Sequence, residues 1–211
     1  MLNHLKIIKL DTVDSTNKYA WRLAEKGEDE VVVVISRAQT RGHGRRNRQW
    51  FSPKDKGVYV SFLLRPRNNL HQVCLLPLIL SLSVVRLFKD VLPLKIKWPN
   101  DVMSGNKKIA GILVQARSKK DKVDFVVAGI GINIQSRQED LPPEATSVYI
   151  ETAKTQKIDE VLKKLITEVN ILYKEFKAGN IKALLDEILL YQVDGNFSLD
   201  GSDLKDTIQL G

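Results

Sequence analysis

Short apolar runs separated by turn residues dominate the first 133 residues, and this pattern predicts a β-sheet. The predicted strands are residues 5–10, 31–39, 58–65, 94–98, 107–114 and 123–133. Ser104-Gly105-Asn106, between two of these runs, is typical of a hairpin turn. Because hairpins predominate in the middle of the chain, we expect the sheet to be mixed but mostly antiparallel.

Four segments have the residue spacing of helices that pack against such a sheet. Asp14-Ser15-Thr16-Asn17 carries short oxygen side chains that cap a helix N-terminus, and Gly27 is placed to end that helix. Residues 72–91 predict one long helix with Pro77 in its first turns. Apolar residues form one continuous stripe over residues 158–176, and residues 181–191 predict a shorter helix. The fold class that follows is α+β, with helices backing a mixed sheet.

The length of 211 residues allows one domain and a small appendage. The net charge of +8 favours an acidic partner, such as a nucleotide, a nucleic acid or an acidic protein. The single cysteine, Cys74, excludes an intramolecular disulfide and fits a reducing compartment. No signal-like segment opens the sequence, and the apolar run 73–85 is shorter than the ~20 residues of a membrane span. We therefore expect a cytoplasmic protein with no membrane segment.

A basic loop, residues 39–50, connects the second and third predicted strands and contains four arginines and two glycines. Such a segment cannot form a core of its own. Glycines permit positive φ and a close approach of the backbone to a ligand, and guanidinium groups with backbone N–H groups bind anions. The loop therefore predicts a site for a carboxylate or a phosphate. A solvated basic loop, or one that contacts nucleic acid, is an equally good interpretation of this segment alone.

Three further polar segments interrupt the apolar pattern, namely Ser15-Thr16-Asn17, residues 97–101 together with Lys108, and residues 129–133. They offer hydrogen bonds for a polar ligand, cations for anions, and in Asp101 a carboxylate of the kind that binds Mg²⁺. Each has an ordinary interpretation, such as a helix cap or a solvated lysine, but their joint presence favours a binding site. Gly-Ile-Gly-Ile-Asn at residues 129–133 lacks the third glycine and the following helix of a dinucleotide-binding fingerprint.

The order of these motifs resembles that of the biotin protein ligases. The similarity is close from Val13 to Asn133 and general as far as Phe176. It rests on Asp14-Ser15-Thr16-Asn17, the basic loop ending in Trp50, Lys97-Trp98-Pro99-Asn100-Asp101, Lys108-Ile109-Ala110-Gly111-Ile112-Leu113, and Gly129-Ile130-Gly131-Ile132-Asn133. The resemblance implies a sheet related to that of class II aminoacyl-tRNA synthetases and a reaction in two steps. Biotin and Mg·ATP would give biotinyl-5′-AMP, which would then acylate one lysine of a biotin carboxyl carrier protein domain of acetyl-CoA carboxylase or a related carboxylase.

The resemblance also implies roles for individual residues. Biotin would contact Ser15, Thr16, Asn17, Gln39, Gly42, His43, Gly44, Arg45, Lys108 and Gly111. ATP would contact Arg46, Arg48, Trp50, Lys97, Asn100 and Asn133, and Asp101 would bind Mg²⁺. Arg45 and Lys108 would act in catalysis, because a carboxylate and a triphosphate repel each other by ~1 kcal/mol in water and by ~4 kcal/mol at the effective dielectric of a protein.

Three features depart from the family pattern. His43 stands where arginine is usual, and Asn47 stands where glycine is usual, a mild change because asparagine tolerates the left-handed conformation. The sequence after Tyr191 is short for the small C-terminal β-barrel of the family. We therefore expect a ligase domain over residues 1–191. Over residues 192–211, where apolar and polar residues alternate weakly, we expect a short tail, one hairpin or a remnant of that barrel. No helix-turn-helix motif precedes Asp14, so DNA binding is not expected; the oligomeric state, a homodimer included, stays open.

Two other functions agree with parts of the sequence. A lipoate ligase or octanoyltransferase shares the fold family and the carrier-lysine chemistry, although residues 97–101 and 129–133 favour biotin. A nucleic-acid-binding module would use the basic loop and would bind with a steep salt dependence. That second alternative leaves the remaining motifs unexplained.

Overall fold

A mixed sheet forms the centre of the structure, a computed structural model that describes residues 5–28, 32–66, 70–119, 122–193 and 207–210. Its strands in the described residues are β1 Lys6–Val13, β2 Val32–Gln39, β3 Gly57–Leu64, β4 Leu94–Lys97, β5 Asp101–Ser104, β6 Lys107–Lys119, β7 Lys122–Asn133 and β8 Gln209–Leu210. They lie in the order β1-β2-β3-β7-β6-β5-β4, with β8 beside β6. The pairs β1–β2 and β6–β8 are parallel and the others antiparallel, so the predicted sheet is confirmed.

Helices cover the two faces of the sheet unequally. Their bounds are α1 Thr16–Glu25, α2 Leu70–Val73, α3 Leu76–Phe88, α4 Val148–Thr152, α5 Ile158–Ala178 and α6 Ile181–Leu190. The larger core lies between one face and the helices α3, α5 and α6. The smaller core lies under α1, which packs on β2, β3 and β7. Part of the α1 face is therefore left for a ligand site.

Most predicted elements are present, but residues 72–91 do not form one helix. The segment divides into α2 and α3 at Cys74 and Leu75, because Pro77 has no N–H to donate to the carbonyl group of Val73. This apolar stretch, Leu70–Phe88, is long enough to cross a membrane by length and composition alone. In the structure 72% of an 18-residue window of this stretch is buried inside the protein, as in the core helix of a folded domain.

Smaller differences concern the connections. The turn predicted to begin at Asn100-Asp101 is formed by residues 98–100, and Asp101 begins β5. The polar loop 135–145 leads into α4, a short helix that the sequence pattern did not predict; Ser147 caps it by accepting a hydrogen bond from the Ile150 N–H. The predicted hairpin 195–210 and the turn 119–121 lie mostly outside the described residues.

Candidate active site

A cavity of about 680 Å³ lies on the α1 face of the sheet, beside the N-terminus of α1. Glycines leave this part of the sheet without side chains: Gly129 and Gly131 on β7, and Gly111 on β6, which is the cross-strand partner of Gly131. Alternate residues of a strand point to the same face, so all three glycines open onto the same side. The glycines therefore make room against the sheet for the side chains of Asn17, Trp50 and Lys108, which line the cavity.

The structure brings nearly all the predicted site residues around this cavity. The residues that line it include Ser15, Thr16, Asn17, Gln39, His43, Gly44, Arg45, Arg46, Arg48, Trp50, Lys97, Asn100, Asp101, Lys108, Gly111 and Asn133. Gly42 is the exception, because a Cβ atom there would lie 2.6 Å from the Trp50 carbonyl oxygen and 2.7 Å from the Ser52 hydroxyl oxygen. Gly42 permits close packing within the loop, and the geometry does not support its predicted contact with the ligand.

A chain of polar side chains, which we call the polar floor, lies at one end of the cavity. Thr16, Asn17 and Gln39 line the cavity, and Ser61 and Gln115, which do not line it, are hydrogen-bonded to Asn17. The Thr16 backbone N–H and hydroxyl group donate to Gln39 Oε1 at 2.8 and 3.1 Å. Ser61 Oγ lies 2.8 Å from Thr16 Oγ1 and 2.6 Å from Asn17 Oδ1, and the Asn17 amide donates to Gln115 Oε1 at 3.0 Å. Thr16, Asn17 and Ser61 are at most 4% exposed. A hydrogen-bonded network so well buried has fixed positions for its donors and acceptors.

The start of α1 is held in place by local capping. Ser15 accepts a hydrogen bond from the Lys18 N–H, which confirms the predicted cap. Asp14 accepts the Ser15 N–H at 2.8 Å and two hydrogen bonds from the Arg22 guanidinium, at 3.0 and 3.1 Å. The hydrogen bond from Arg22 holds the pKa of the Asp14 carboxyl group below its usual value. This pair stabilises the turn that delivers Thr16 and Asn17 to the polar floor.

Replacing Asp14 with asparagine is expected to reduce the free energy of unfolding by about 0.5 kcal/mol at pH 7, a small value because the pair is partly exposed. The Asp14 pKa is lower in the folded than in the unfolded chain, so its contribution is present above the unfolded value of about 3.9 and disappears as the pH falls through the folded value. Urea unfolding at several pH values tests this, with Asp90→Asn as the control. An equal loss at pH 7 and in strong acid would contradict the role of the pair.

Cations lie farther along β6, towards its N-terminal end. Lys108 Nζ is 2.6 Å from Asp101 Oδ1 and 5.3 Å from the centre of the Trp50 ring. Arg45 donates to Asn100 Oδ1 at 3.4 Å, and the Asn100 amide donates to the Ile112 carbonyl oxygen at 2.7 Å. Lys108 and Arg45 therefore face the same space, with Lys108 already neutralised by a carboxylate that also lines the cavity.

The basic loop runs over the cavity and is ordered by its own backbone hydrogen bonds. The Gly44 N–H donates to the Arg48 carbonyl oxygen at 2.7 Å, and the Trp50 N–H to that of Gly42 at 3.0 Å. The expectation that the loop glycines adopt positive φ is wrong: Gly44 has φ −106°, and the left-handed residue is Arg46, with φ 53°. Holding a non-glycine residue there costs on the order of 1 kcal/mol, and such strain is concentrated in functional segments.

Two buried polar atoms of the loop point to a ligand. Within the part of the chain that the structure describes, His43 Nδ1 and Trp50 Nε1 are buried without a hydrogen-bond partner. Both residues line the cavity. Because buried polar groups are nearly always paired, the two atoms are suited to bind a polar group of a ligand.

Asp101 is the carboxylate best placed for a metal ion. In the described ranges, no group of three or more His, Cys, Asp or Glu side chains could hold a metal ion by itself. Mg²⁺ is usually bound by one or two carboxylates together with substrate phosphates, and an Asp101 carboxylate in a cationic cavity fits that arrangement. Because Asp101 is paired with Lys108, a metal ion and the lysine would compete for the same carboxylate.

Sequence reasoning missed several residues of the site. Ser61 is a single polar residue inside the apolar strand β3, and Gln115 directly follows the apolar run of β6, so that change to a polar residue was the available signal. The loop residues Leu141, Pro142, Glu144 and Ala145 also line the cavity. The Lys108 N–H donates to the Glu144 carbonyl oxygen at 2.9 Å, a long-range contact that the polar composition of the loop could not reveal.

The sequence of this chain is similar to those of known proteins. Residues 10–133 match the model of the biotin/lipoate A/B protein ligase family. The chain is 35% identical over 157 residues to the bifunctional ligase/repressor BirA of Bacillus subtilis (strain 168), an alignment that covers 72% of this chain and 48% of BirA. It is 35% identical over 130 residues to the biotin--[acetyl-CoA-carboxylase] ligase of Paracoccus denitrificans, covering 59% of this chain and 53% of that protein. The chain thus spans about half the length of these curated relatives.

A solved structure gives a longer match. The biotin protein ligase from Aquifex aeolicus in complex with biotin and ATP has a TM-score of 0.75 and 35% sequence identity, and the match covers 89% of this chain and 78% of that chain. This likeness confirms the fold that the motif order implied. The sequence and structural matches together show that the chain belongs to the biotin/lipoate A/B protein ligase family, with the resemblance to biotin protein ligases confirmed.

Proposed function

We propose that this chain activates biotin with ATP as biotinyl-5′-AMP and transfers the biotin to one lysine of a biotin carboxyl carrier protein domain of acetyl-CoA carboxylase or a related carboxylase. The observation that carries the proposal is one cavity with a buried polar floor at one end and two cations, Lys108 and Arg45, farther along. The names of the relatives and the biotin and ATP held by the Aquifex aeolicus enzyme support it.

The polar floor favours biotin over lipoate. The ureido ring of biotin offers two N–H donors and a carbonyl acceptor, which match buried hydroxyl and amide groups such as those of Thr16 and Asn17. The dithiolane ring of lipoate has neither an N–H group nor a carbonyl group. A site built to hydrogen-bond its substrate rejects an analogue that lacks those groups by roughly 10⁴-fold or more, because its buried polar atoms lose their partners.

The cations serve the first chemical step. A biotin carboxylate oxygen forms a bond to the α-phosphorus of ATP, and the bond from that phosphorus to the bridging oxygen breaks as pyrophosphate leaves. Lys108 and Arg45 would neutralise the carboxylate and the phosphate as they meet and would stabilise the charge that develops on phosphorus. The ammonium group of Lys108 would have to leave Asp101 for the substrate anions. Mg²⁺ bound by Asp101 and the phosphates would supply further charge neutralisation.

The second step needs a protected intermediate. The neutral amine of the carrier lysine attacks the acyl carbon of biotinyl-AMP, and AMP leaves. Water would destroy the same mixed anhydride, so a loop that covers the cavity prevents a side reaction. The basic loop carries the arginines that would hold the AMP anion. We propose that this chain is cytoplasmic, because its single cysteine fits a reducing compartment.

A pyrophosphate-release assay tests the proposed function. With Mg·ATP, we expect release that depends on biotin and little release with lipoate or octanoate at the same concentration. Addition of a biotin carboxyl carrier domain should give that domain one biotin per molecule, measured by intact-protein mass spectrometry. Faster pyrophosphate release with lipoate than with biotin would overturn the assignment in favour of a lipoate ligase.

Replacing Arg45 with glycine is expected to let biotinyl-AMP escape and label bystander proteins, because the guanidinium that holds the intermediate's anion is lost. The measurement is biotin incorporation into an unrelated lysine-rich protein, detected with streptavidin. Arg41→Gly is the matched control, since Arg41 belongs to the same loop but does not line the cavity. Labelling confined to the carrier lysine in Arg45→Gly would contradict this role.

A further inference from the structure

The orientation of the Asn17 side chain depends on a residue outside the predicted site. The two N–H bonds of its amide are used inside the protein, because Nδ2 donates to the Leu113 carbonyl oxygen at 3.3 Å and to Gln115 Oε1 at 3.0 Å. Oδ1 accepts from Ser61 at 2.6 Å and keeps a second lone pair. Asn17 therefore offers the cavity a hydrogen-bond acceptor.

Gln115 is in turn supported by the C-terminal strand. Gln115 Nε2 lies 3.4 Å from Gln209 Oε1, and the two residues are neighbours in the parallel pair of β6 and β8. Contacts with the main core anchor β8, since the Thr207 hydroxyl donates to the Cys74 carbonyl oxygen at 2.6 Å and Ile208 is 7% exposed. A chain of hydrogen bonds thus connects the end of the described structure with the polar floor.

We propose that Gln115 is a positioning residue: it holds the Asn17 amide so that the oxygen, a hydrogen-bond acceptor, faces the cavity and the nitrogen does not. We propose also that β8 supports Gln115 in this role. In the described part of the chain, Gln115 does not belong to the lining of the cavity, so it acts through Asn17. Without the acceptor at Gln115, the Asn17 amide nitrogen keeps only the longer hydrogen bond to the Leu113 carbonyl oxygen, at 3.3 Å. Rotation of the amide by half a turn then becomes less costly, and the rotated amide presents N–H groups to the N–H groups of the ligand. The consequence for biotin rests on the proposed function; the link between Gln115 and Asn17 does not.

Four variants separate positioning from general stability. Gln115→Leu removes the acceptor for the Asn17 amide, whereas Gln115→Glu keeps an acceptor there, and the Gln209 amide can rotate to donate to the new carboxylate. Gln209→Ala removes the support from β8. Gln135→Ala is the matched control, because Gln135 is another half-buried glutamine with a side-chain hydrogen bond, to the Gln156 carbonyl oxygen, and does not line the cavity.

Two measurements are made on each variant. Hydrogen exchange of the Asn17 side-chain amide, followed by NMR without ligand, should be slow in the wild type and in Gln115→Glu but fast in Gln115→Leu. Calorimetry should show a rise of roughly 10- to 100-fold in the Kd for biotin in Gln115→Leu, and roughly 3- to 10-fold in Gln209→Ala. The KM for ATP and the Tm should stay near the wild-type values, and Gln135→Ala should match the wild type.

The outcomes are decisive in each direction. Slow exchange and wild-type biotin affinity in Gln115→Leu would overturn the proposal, as would an equal rise in the KM for biotin and for ATP together with a fall in Tm. If Gln115→Leu does not fold, Gln209→Ala decides by the same two measurements. If the wild type itself binds no biotin, the proposed function fails, whereas the ligand-free exchange rates still decide the link between Gln115 and Asn17.

Discussion

Lys108→Ala is expected to lower the rate of biotinyl-AMP formation by roughly 100- to 1000-fold, the loss typical when a charge-stabilising donor is removed from a transition state. The reason is that Lys108 lines the cavity where the biotin carboxylate and the α-phosphate would meet, and its loss also leaves Asp101 without its ion-pair partner. Biotin-dependent pyrophosphate release measures the effect.

The neighbouring lysine supplies the control for this variant. Lys107 is exposed and points away from the cavity towards Gln138, so Lys107→Ala should keep wild-type activity. The pair between Lys108 and Asp101 is about 29% exposed, and we expect its loss to change the free energy of unfolding by less than about 1 kcal/mol. Normal pyrophosphate release by a folded Lys108→Ala protein would remove Lys108 from the reaction.

Gly129→Ala is expected to weaken biotin binding by roughly 100-fold, the equivalent of about 2.7 kcal/mol. A Cβ atom at this position would lie 2.1 Å from Asn17 Oδ1 and 2.9 Å from Asn17 Cγ. Asn17 is 4% exposed and hydrogen-bonded to Ser61 and Gln115, so it cannot move away without breaking the polar floor. Overpacking of this kind should also cost about 1–3 kcal/mol of stability, measured by chemical unfolding.

A double variant separates the collision from the loss of binding. In Gly129→Ala combined with Asn17→Ala, the colliding amide is absent, so much of the stability should return while biotin affinity stays low. Calorimetry and urea unfolding on the two single variants and the double variant complete the cycle. Wild-type biotin affinity in Gly129→Ala would show that Asn17 does not bind the ureido ring of biotin.

The sequence predicted the strands and the residues of the site better than it predicted how they meet. Thr16, Gln39 and Lys108 were recognisable because each is a polar residue at a motif that interrupts an apolar pattern. Ser61 was not recognised, because the residue with which its hydroxyl group forms a hydrogen bond, Asn17, is 44 residues away along the chain. Gln115 is 98 residues from Asn17, and such a contact depends on the order of the strands, which no local pattern contains.

Glycine positions show the same limit of local reasoning. In the sequence, Gly129 and Gly131 were recognisable only as part of a motif, whereas the structure shows that they make room for the side chains of Asn17 and Trp50. In the loop, the left-handed conformation falls on Arg46 rather than on a glycine. The hydrogen bonds that impose it run between Gly44 and Arg48, so the conformation is set by contacts on either side and not by the preference of the residue itself.

The two ends of the basic loop are fixed to the rest of the protein. Gln39 is hydrogen-bonded to Thr16 and Ser52, and the Trp50 ring lies so close to Gly131 that a Cβ atom there would be 2.5 Å from it. Because both ends of the basic loop are fixed, only its middle can rearrange. Fixing the backbone of one residue there costs about 1–2 kcal/mol of conformational entropy. Under the proposed function, the polar floor therefore keeps its shape while the arginines in the middle of the loop adjust to the nucleotide, which favours an order of addition in which biotin enters before ATP.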